Sequence, residues 1–280
     1  MADHVGPDLS GRVSVVTGAT RGIGRQIALQ LATCGSDLVV VGRTSRADDD
    51  RPLPGSVEET ADEVRALGVN AIGVQANLAD ESQTDEIVRR TLDEFGRCDV
   101  LVNNAAYTSN GPILEVPWHR WGRAFRVNVV APHQLCHGFV PGMLERGGGS
   151  VINISTGASQ RPLVGLGMYS ASKIALERWA ECLDLETTGI AVNTLRVNRL
   201  VATEGWQHIA ATQPAEVAYG GGSPDTVAVT AESVAAVVLW IAGRPPSWSG
   251  HTVDFEDVVR LGGPDLVAFD PTAAETDAPT

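Results

Sequence analysis

Residues Arg12–Gly24 read RVSVVTGATRGIG, and this stretch decides the fold. Its first half is a short run rich in valine, the composition of a β-strand. A glycine-rich turn, Gly18-Ala19-Thr20-Arg21-Gly22-Ile23-Gly24, follows at once. Ile27, Ala28, Leu31 and Ala32 then recur at helical spacing. Strand, glycine turn and helix in this order form the context that a phosphate-binding loop requires. Glycine lets the backbone approach a pyrophosphate, and the helix N-terminus offers unpaired N–H groups and positive potential. The spacing is TGxxxGxG, not the GxGxxG of the best-known dinucleotide fingerprint. A plain tight turn is the competing reading, and the strand before and helix after it favour a nucleotide.

Working outward, a second strand is expected over Asp37–Gly42, ending in Gly42-Arg43-Thr44. An NAD site usually places a carboxylate here for the ribose 2′-hydroxyl. This chain has Arg43 and Thr44, with Arg21 in the glycine turn on the same side. Guanidinium groups suit a 2′-phosphate through charge-assisted hydrogen bonds, so the expected cofactor is NADP(H). Residues 45–56 are polar and carry prolines, which suits a surface loop, and Ser56-Val57-Glu58-Glu59 resembles a capping box opening a helix to about Leu67.

Strands follow at Asn70–Gln75, Asp99–Val102, Ser150–Ser155, Ile190–Leu195 and His251–Phe255. Helices are expected over Glu81–Phe95, with Ile87, Val88 and Leu92 facing the sheet, and over Pro117–Glu145 and Ala231–Ile241. Strand and helix alternate throughout, which means an α/β fold: one Rossmann-type, doubly wound parallel sheet of about seven strands with helices on both faces. Residues 1–260 are read as one NADP(H)-binding catalytic domain, and 261–280 as a tail whose final ten residues are disordered. Asn104 and Ala105 close the fourth strand, where small residues let backbone pack against a cofactor.

The chemistry-bearing stretch is Tyr169-Ser170-Ala171-Ser172-Lys173. On a helix, Tyr169 and Lys173 share one face, a turn apart. A phenol ordinarily ionises near pH 10; a neighbouring ammonium favours the phenolate, and an oxidised nicotinamide ring would add a second positive charge. Lowering that pKa by about three units needs roughly 4 kcal/mol of differential interaction. A tyrosine tuned in this way gives a proton to a carbonyl oxygen or takes one from an alcohol.

Four features in order, the TGATRGIG turn, Asn103-Asn104-Ala105-Ala106, the hydroxyl pair Ser155-Thr156 and YSASK, resemble the short-chain dehydrogenase/reductase family. The resemblance covers roughly residues 10–256. It implies hydride transfer between a nicotinamide and a carbonyl or alcohol, with Tyr169 as acid/base and Lys173 on the nicotinamide ribose. It also implies that Asn128 holds a water in the proton relay, and that a hydroxyl at the end of the fifth strand orients the substrate. The family's serine position, thirteen residues before the tyrosine, is Thr156 here, with Ser155 as the alternative. After the third strand, Asn77 stands where the family often has an aspartate for the adenine amino group, followed by Leu78. Arg196-Val197-Asn198-Arg199 replaces the usual Pro-Gly segment beside the nicotinamide.

On the substrate side, Tyr107, Leu163, Val164, Leu166, Met168 and Trp206 suggest a hydrophobic ketone, aldehyde or secondary alcohol. Trp118 and Trp121 are expected in the core or an interface. A reductase of a C=C or C=N bond, and a catalytically silent NADP(H)-binding sensor or scaffold, are the alternatives. The family resemblance implies a homotetramer, with a dimer next.

Composition sets the outer limits. The formal charge of −13 over 280 residues argues against a nucleic-acid surface. Cys34, Cys98, Cys136 and Cys182 are scattered, as in a reduced cytosolic protein. No signal peptide or membrane span is visible, so a soluble cytoplasmic protein is expected, and the histidines lack metal-ligand spacing.

Overall fold

The structure is a computed structural model that describes residues 6–48, 53–212 and 228–268. Seven strands make one parallel sheet: β1 (Val13–Thr17), β2 (Asp37–Gly42), β3 (Ala71–Gln75), β4 (Val100–Asn103), β5 (Ser150–Thr156), β6 (Ala191–Val197) and β9 (Thr252–Asp254). The order across the sheet is β3-β2-β1-β4-β5-β6-β9. A separate two-stranded parallel pair joins β7 (Val201–Ala202) to β8 (Val229–Thr230). All five residues of β1 are buried, because helices cover both faces of the sheet.

On one face lie α1 (Gly22–Thr33), α2 (Val57–Ala66), α8 (Ala231–Ala242) and α9 (Phe255–Arg260), contributing Ile27, Leu31, Val64, Val238 and Val258 to the core. On the other lie α3 (Glu81–Phe95), α5 (Ala131–Glu145) and α6 (Gly167–Glu186), contributing Ile87, Leu135, Phe139 and Ala180. Helix starts follow the expected capping chemistry: the Ser56 side chain accepts the Glu59 N–H at 3.1 Å. Asp80 caps α3 through the N–H groups of Ser82 and Gln83.

Several expectations need correction. Leu92 is 40% exposed, because α3 presents it beyond the stripe that Ile87 anchors. The long helix expected over 117–145 is α4 (Trp118–Phe125), a π-turn (Arg126–Val130) and α5 in unbroken succession. Trp118 stands 85% exposed, outside the core. The last strand stops at Asp254, whose side chain caps α9 in a reciprocal capping box with Asp257 and draws Phe255 into that helix. The disorder expected of the final ten residues concerns positions outside the described ones. No helix among the described residues is long and apolar enough to cross a membrane.

The strand order turns back between β1 and β4. In open parallel sheets that reversal leaves a crevice at the carboxyl ends of the strands, and it is here that the predicted motifs meet.

Candidate active site

The floor of the crevice is built by one threonine and one asparagine. Thr17 Oγ1 accepts the backbone N–H groups of Asn104 (3.0 Å) and Ala105 (3.1 Å), and donates to the Val102 carbonyl. The Asn104 amide donates to the carbonyls of Thr17 (2.8 Å) and Gly18 (3.2 Å). The end of β4 is thus locked to the end of β1. Thr17 opens the TGxxxGxG stretch, yet only tertiary packing shows that its hydroxyl ties β1 to β4.

Two glycines are required by sterics. Gly18 has φ +67°, and a Cβ there would lie 2.9 Å from the Ala105 Cα. A Cβ on Gly24 would lie 2.2 Å from the Gly18 carbonyl oxygen. No side chain caps α1, and its first turn holds no acidic residue, so the N–H groups beside Gly22 and Ile23 remain open to an anion.

A cleft of about 500 Å³ opens over this floor. Gly18, Thr20, Arg21, Arg43, Thr44, Asn77, Leu78, Asn104 and Ala105, all expected to hold the cofactor, line it. Gly22, Ile23, Gly24, Tyr169 and Lys173 are outside its lining. Arg21 Nη2 donates to Thr44 Oγ1 at 3.0 Å, bringing the glycine turn and the end of β2 together. Arg43 is exposed. The lining also includes Arg123, whose guanidinium lies 5.0 Å over the Tyr107 ring. Arg123 has no motif to announce it. Among the described residues, three arginines and no aspartate or glutamate line the cleft, so its charge suits a ligand with several phosphates. Asn77 accepts the Ala79 N–H at 3.1 Å, a local turn at the edge of the cleft. These residues fit the diphosphate of a dinucleotide.

Beside the next strand, α6 carries Tyr169 and Lys173, the expected acid/base pair. Lys173 is 1% exposed, and its Nζ donates to the Ile154 carbonyl at 2.6 Å, 5.8 Å from the Tyr169 ring centre. Burial lowers the Lys173 pKa to about 8, against the opposing charge of Glu177. Tyr169 is partly exposed, yet its desolvation raises its pKa to about 12. The expected lowering, by the ammonium and an oxidised nicotinamide ring together, concerns the cofactor-bound protein; in the chain by itself burial acts the other way. The ammonium is directed at the backbone, and desolvation of the phenol dominates.

Asn128 is fully buried in the π-turn. Its Oδ1 accepts the Tyr107 N–H at 2.7 Å, and its Nδ2 donates to the Tyr107 carbonyl and to Ser172 Oγ, both at 2.9 Å. The side chain therefore joins the loop after β4 to α6. Ser155 is 2% exposed, and its hydroxyl donates to the Glu177 carboxylate at 2.5 Å. Thr156, one residue on, is half-buried and caps the short turn after β5 by accepting the Ala158 N–H at 3.3 Å.

Of the six apolar residues expected around a substrate, Tyr107 lines the large cleft; Met168 is buried in the interior and Val164 is 70% exposed. Asn198 and Arg199, in the segment that departs from the family, both pair with Glu256.

Comparison with known proteins agrees with this geometry. The family model described as short chain dehydrogenase matches residues 12–213. An uncharacterized oxidoreductase of Mycobacterium tuberculosis is 29% identical over 261 residues, covering 92% of this chain and 95% of its own length. A 3-oxoacyl-acyl-carrier-protein reductase of Synechocystis sp. is 33% identical over 190 residues, covering 67% of this chain and 73% of its own length. The structure of L-sorbose reductase from Gluconobacter frateurii, complexed with NADPH and L-sorbose, superposes with a TM-score of 0.76 at 28% identity, covering 88% of this chain and 96% of that one. With the glycine turn, the crevice at the strand reversal and the Tyr169–Lys173 pair on one helix, the chain belongs to the short-chain dehydrogenase family and is an oxidoreductase.

Proposed function

We propose that this enzyme is an NADP(H)-dependent reductase of an apolar ketone or aldehyde, or the dehydrogenase of the corresponding alcohol. The observation that carries the reading is the vertical pair on α6: a partly open Tyr169 phenol with a buried, ionisable Lys173 one turn behind it. The choice of NADP(H) over NAD(H) is supported by Arg21, Arg43 and Arg123 around a cleft that no carboxylate lines among the described residues.

When bound, the nicotinamide supplies or accepts the hydride. The chain's own residues manage the proton. In reduction, Tyr169 remains a neutral phenol at physiological pH and donates its proton to the carbonyl oxygen as that oxygen gains charge. Lys173, titrating near neutrality, replenishes it. Both polar groups of the Asn128 side chain are committed, so a relay water is left to the backbone of the π-turn, a distortion frequent at functional sites. Thr156 is the hydroxyl that orients the substrate oxygen, since Ser155 is held by Glu177.

An apolar acceptor is favoured by the two loops that flank Tyr169. They meet through the Gly111 N–H and the Gly165 carbonyl and expose Ile113, Leu114 and Val164. Ile174 and Leu185, exposed on α6, suit a dimer face and with it the homotetramer.

The test is NADPH and NADH oxidation against apolar aldehydes and ketones, for the wild type and Tyr169→Phe. The expected result is turnover with NADPH preferred, and a loss of about 10²–10⁴-fold in kcat in the variant at unchanged NADPH affinity. Equal use of NADH, or full activity without the phenol, overturns the corresponding half of the proposal.

A further inference from the structure

Glu177 is a buried carboxylate that the reaction outlined above does not use. It lies one turn beyond Lys173 and two beyond Tyr169 on α6. Its Oε1 accepts from Ser155 Oγ at 2.5 Å and lies 2.6 Å from Ser159 Oγ. Arg196 of β6 grips both its oxygens, Nε at 3.1 Å to each and Nη2 at 2.8 Å to Oε2. Ser159 Oγ also lies 2.7 Å from the Thr156 carbonyl, so its single proton bridges that carbonyl and the carboxylate.

We propose that Glu177 is a positioning residue: by tying Ser155 and Ser159, on either side of Thr156, to α6, it fixes the Thr156 hydroxyl relative to Tyr169 on the same helix. The inference rests on the roles assigned to Thr156 and Tyr169 above.

Three arguments carry it. Thr156 has only weak local restraint of its own, the 3.3 Å contact with the Ala158 N–H, at the point where β5 gives way to a single 3₁₀ turn. Small misplacements of a group that orients substrate cost large factors in rate. A buried ion pair is a poor way to add stability, since apolar residues of similar volume do as well. What apolar residues do not supply is directional bonding from one helix to β5, to the turn after it and to β6. Finally, the carboxylate faces Lys173. The charged or titratable groups around that lysine are Tyr169 and Glu177 on its own helix, with Arg196 behind Glu177; β5 and the π-turn offer the uncharged Ile154 carbonyl and Asn128 amide.

The test uses full-length Glu177→Gln, with Ser155→Ala and Ser159→Ala in case loss of the ionic partner of Arg196 prevents folding of the first. Hydrogen exchange of the backbone over 155–159 is measured by mass spectrometry, with kcat, NADPH affinity and the pH–rate profile. Expected are faster exchange at 155–159 and a kcat loss of about tenfold or more at unchanged NADPH affinity. In Glu177→Gln the alkaline limb moves to lower pH, because Lys173 loses the anion that helps retain its proton; a merely structural defect leaves that limb in place. Unchanged exchange over 155–159 in the folded variants overturns the proposal whatever the activity. A wild type that turns over no carbonyl with NADPH overturns the functional reading instead, and the exchange measurement still decides the role of Glu177.

Discussion

The ammonium of Lys173 is bonded to the carbonyl of Ile154 at 2.6 Å, and its Nζ stands 5.8 Å from the centre of the Tyr169 ring. The lysine is therefore anchored to the end of β5 before any ligand arrives, and the phenol above it remains hard to ionise.

Ionisation of Tyr169 should accordingly depend on the cofactor. In the free enzyme its phenol titrates at about 12, because burial disfavours the phenolate. Oxidised cofactor brings a positive ring and should lower that value. Near-ultraviolet phenolate absorbance, taken as the difference between wild type and Tyr169→Phe, should show a midpoint at least about one unit lower with NADP⁺ than without. An identical midpoint in both states would remove electrostatic tuning by the cofactor from the mechanism.

Lys173 makes stability rise with pH. Its folded pKa of about 8 lies below the ordinary lysine value near 10.4, so between these the unfolded chain binds more protons. Stability should climb through that window by up to about 3 kcal/mol and level off above it. Lys173→Met should flatten this slope and raise the Tm of the cofactor-free protein near neutral pH, while abolishing turnover. Denaturant midpoints measured from pH 7 to 11 check it; a stability falling through the window contradicts the burial argument.

Arg43 should matter for the 2′-phosphate alone. Arg43→Ala removes one charge-assisted contact, so NADPH should bind about tenfold to a hundredfold more weakly while NADH changes little. Fluorescence titration with both nucleotides separates the cases. Equal losses would mean that Arg43 shapes the cleft without reading the phosphate.

Gly24→Ala should be destabilising even though its backbone is ordinary. The added methyl would meet the Gly18 carbonyl at 2.2 Å and the Asn104 amide at 2.4 Å, two backbone-locked groups. A loss of more than about 2 kcal/mol, with weakened NADPH binding, is expected from thermal melts and titration. A fully stable variant would show that the lock between β1 and β4 is loose.

Features that depend on near neighbours in the chain were legible before any fold was known. The run Arg12–Gly24 specified strand, turn and helix, Ser56 and Asp80 placed helix starts, and the four-residue spacing of Tyr169 and Lys173 put them on one face. Tertiary structure decided the rest. Consecutive strand residues point to opposite sides, so Ser155 and Thr156 meet different neighbours, and the one bonded to Ser155 is Glu177, a contact that no local motif announces. The part played by Thr17 and the arrival of Arg123 in the cleft depend on elements far apart in the chain. The raised pKa of Tyr169 is likewise a sum of desolvation from every surrounding segment, which a local motif does not encode.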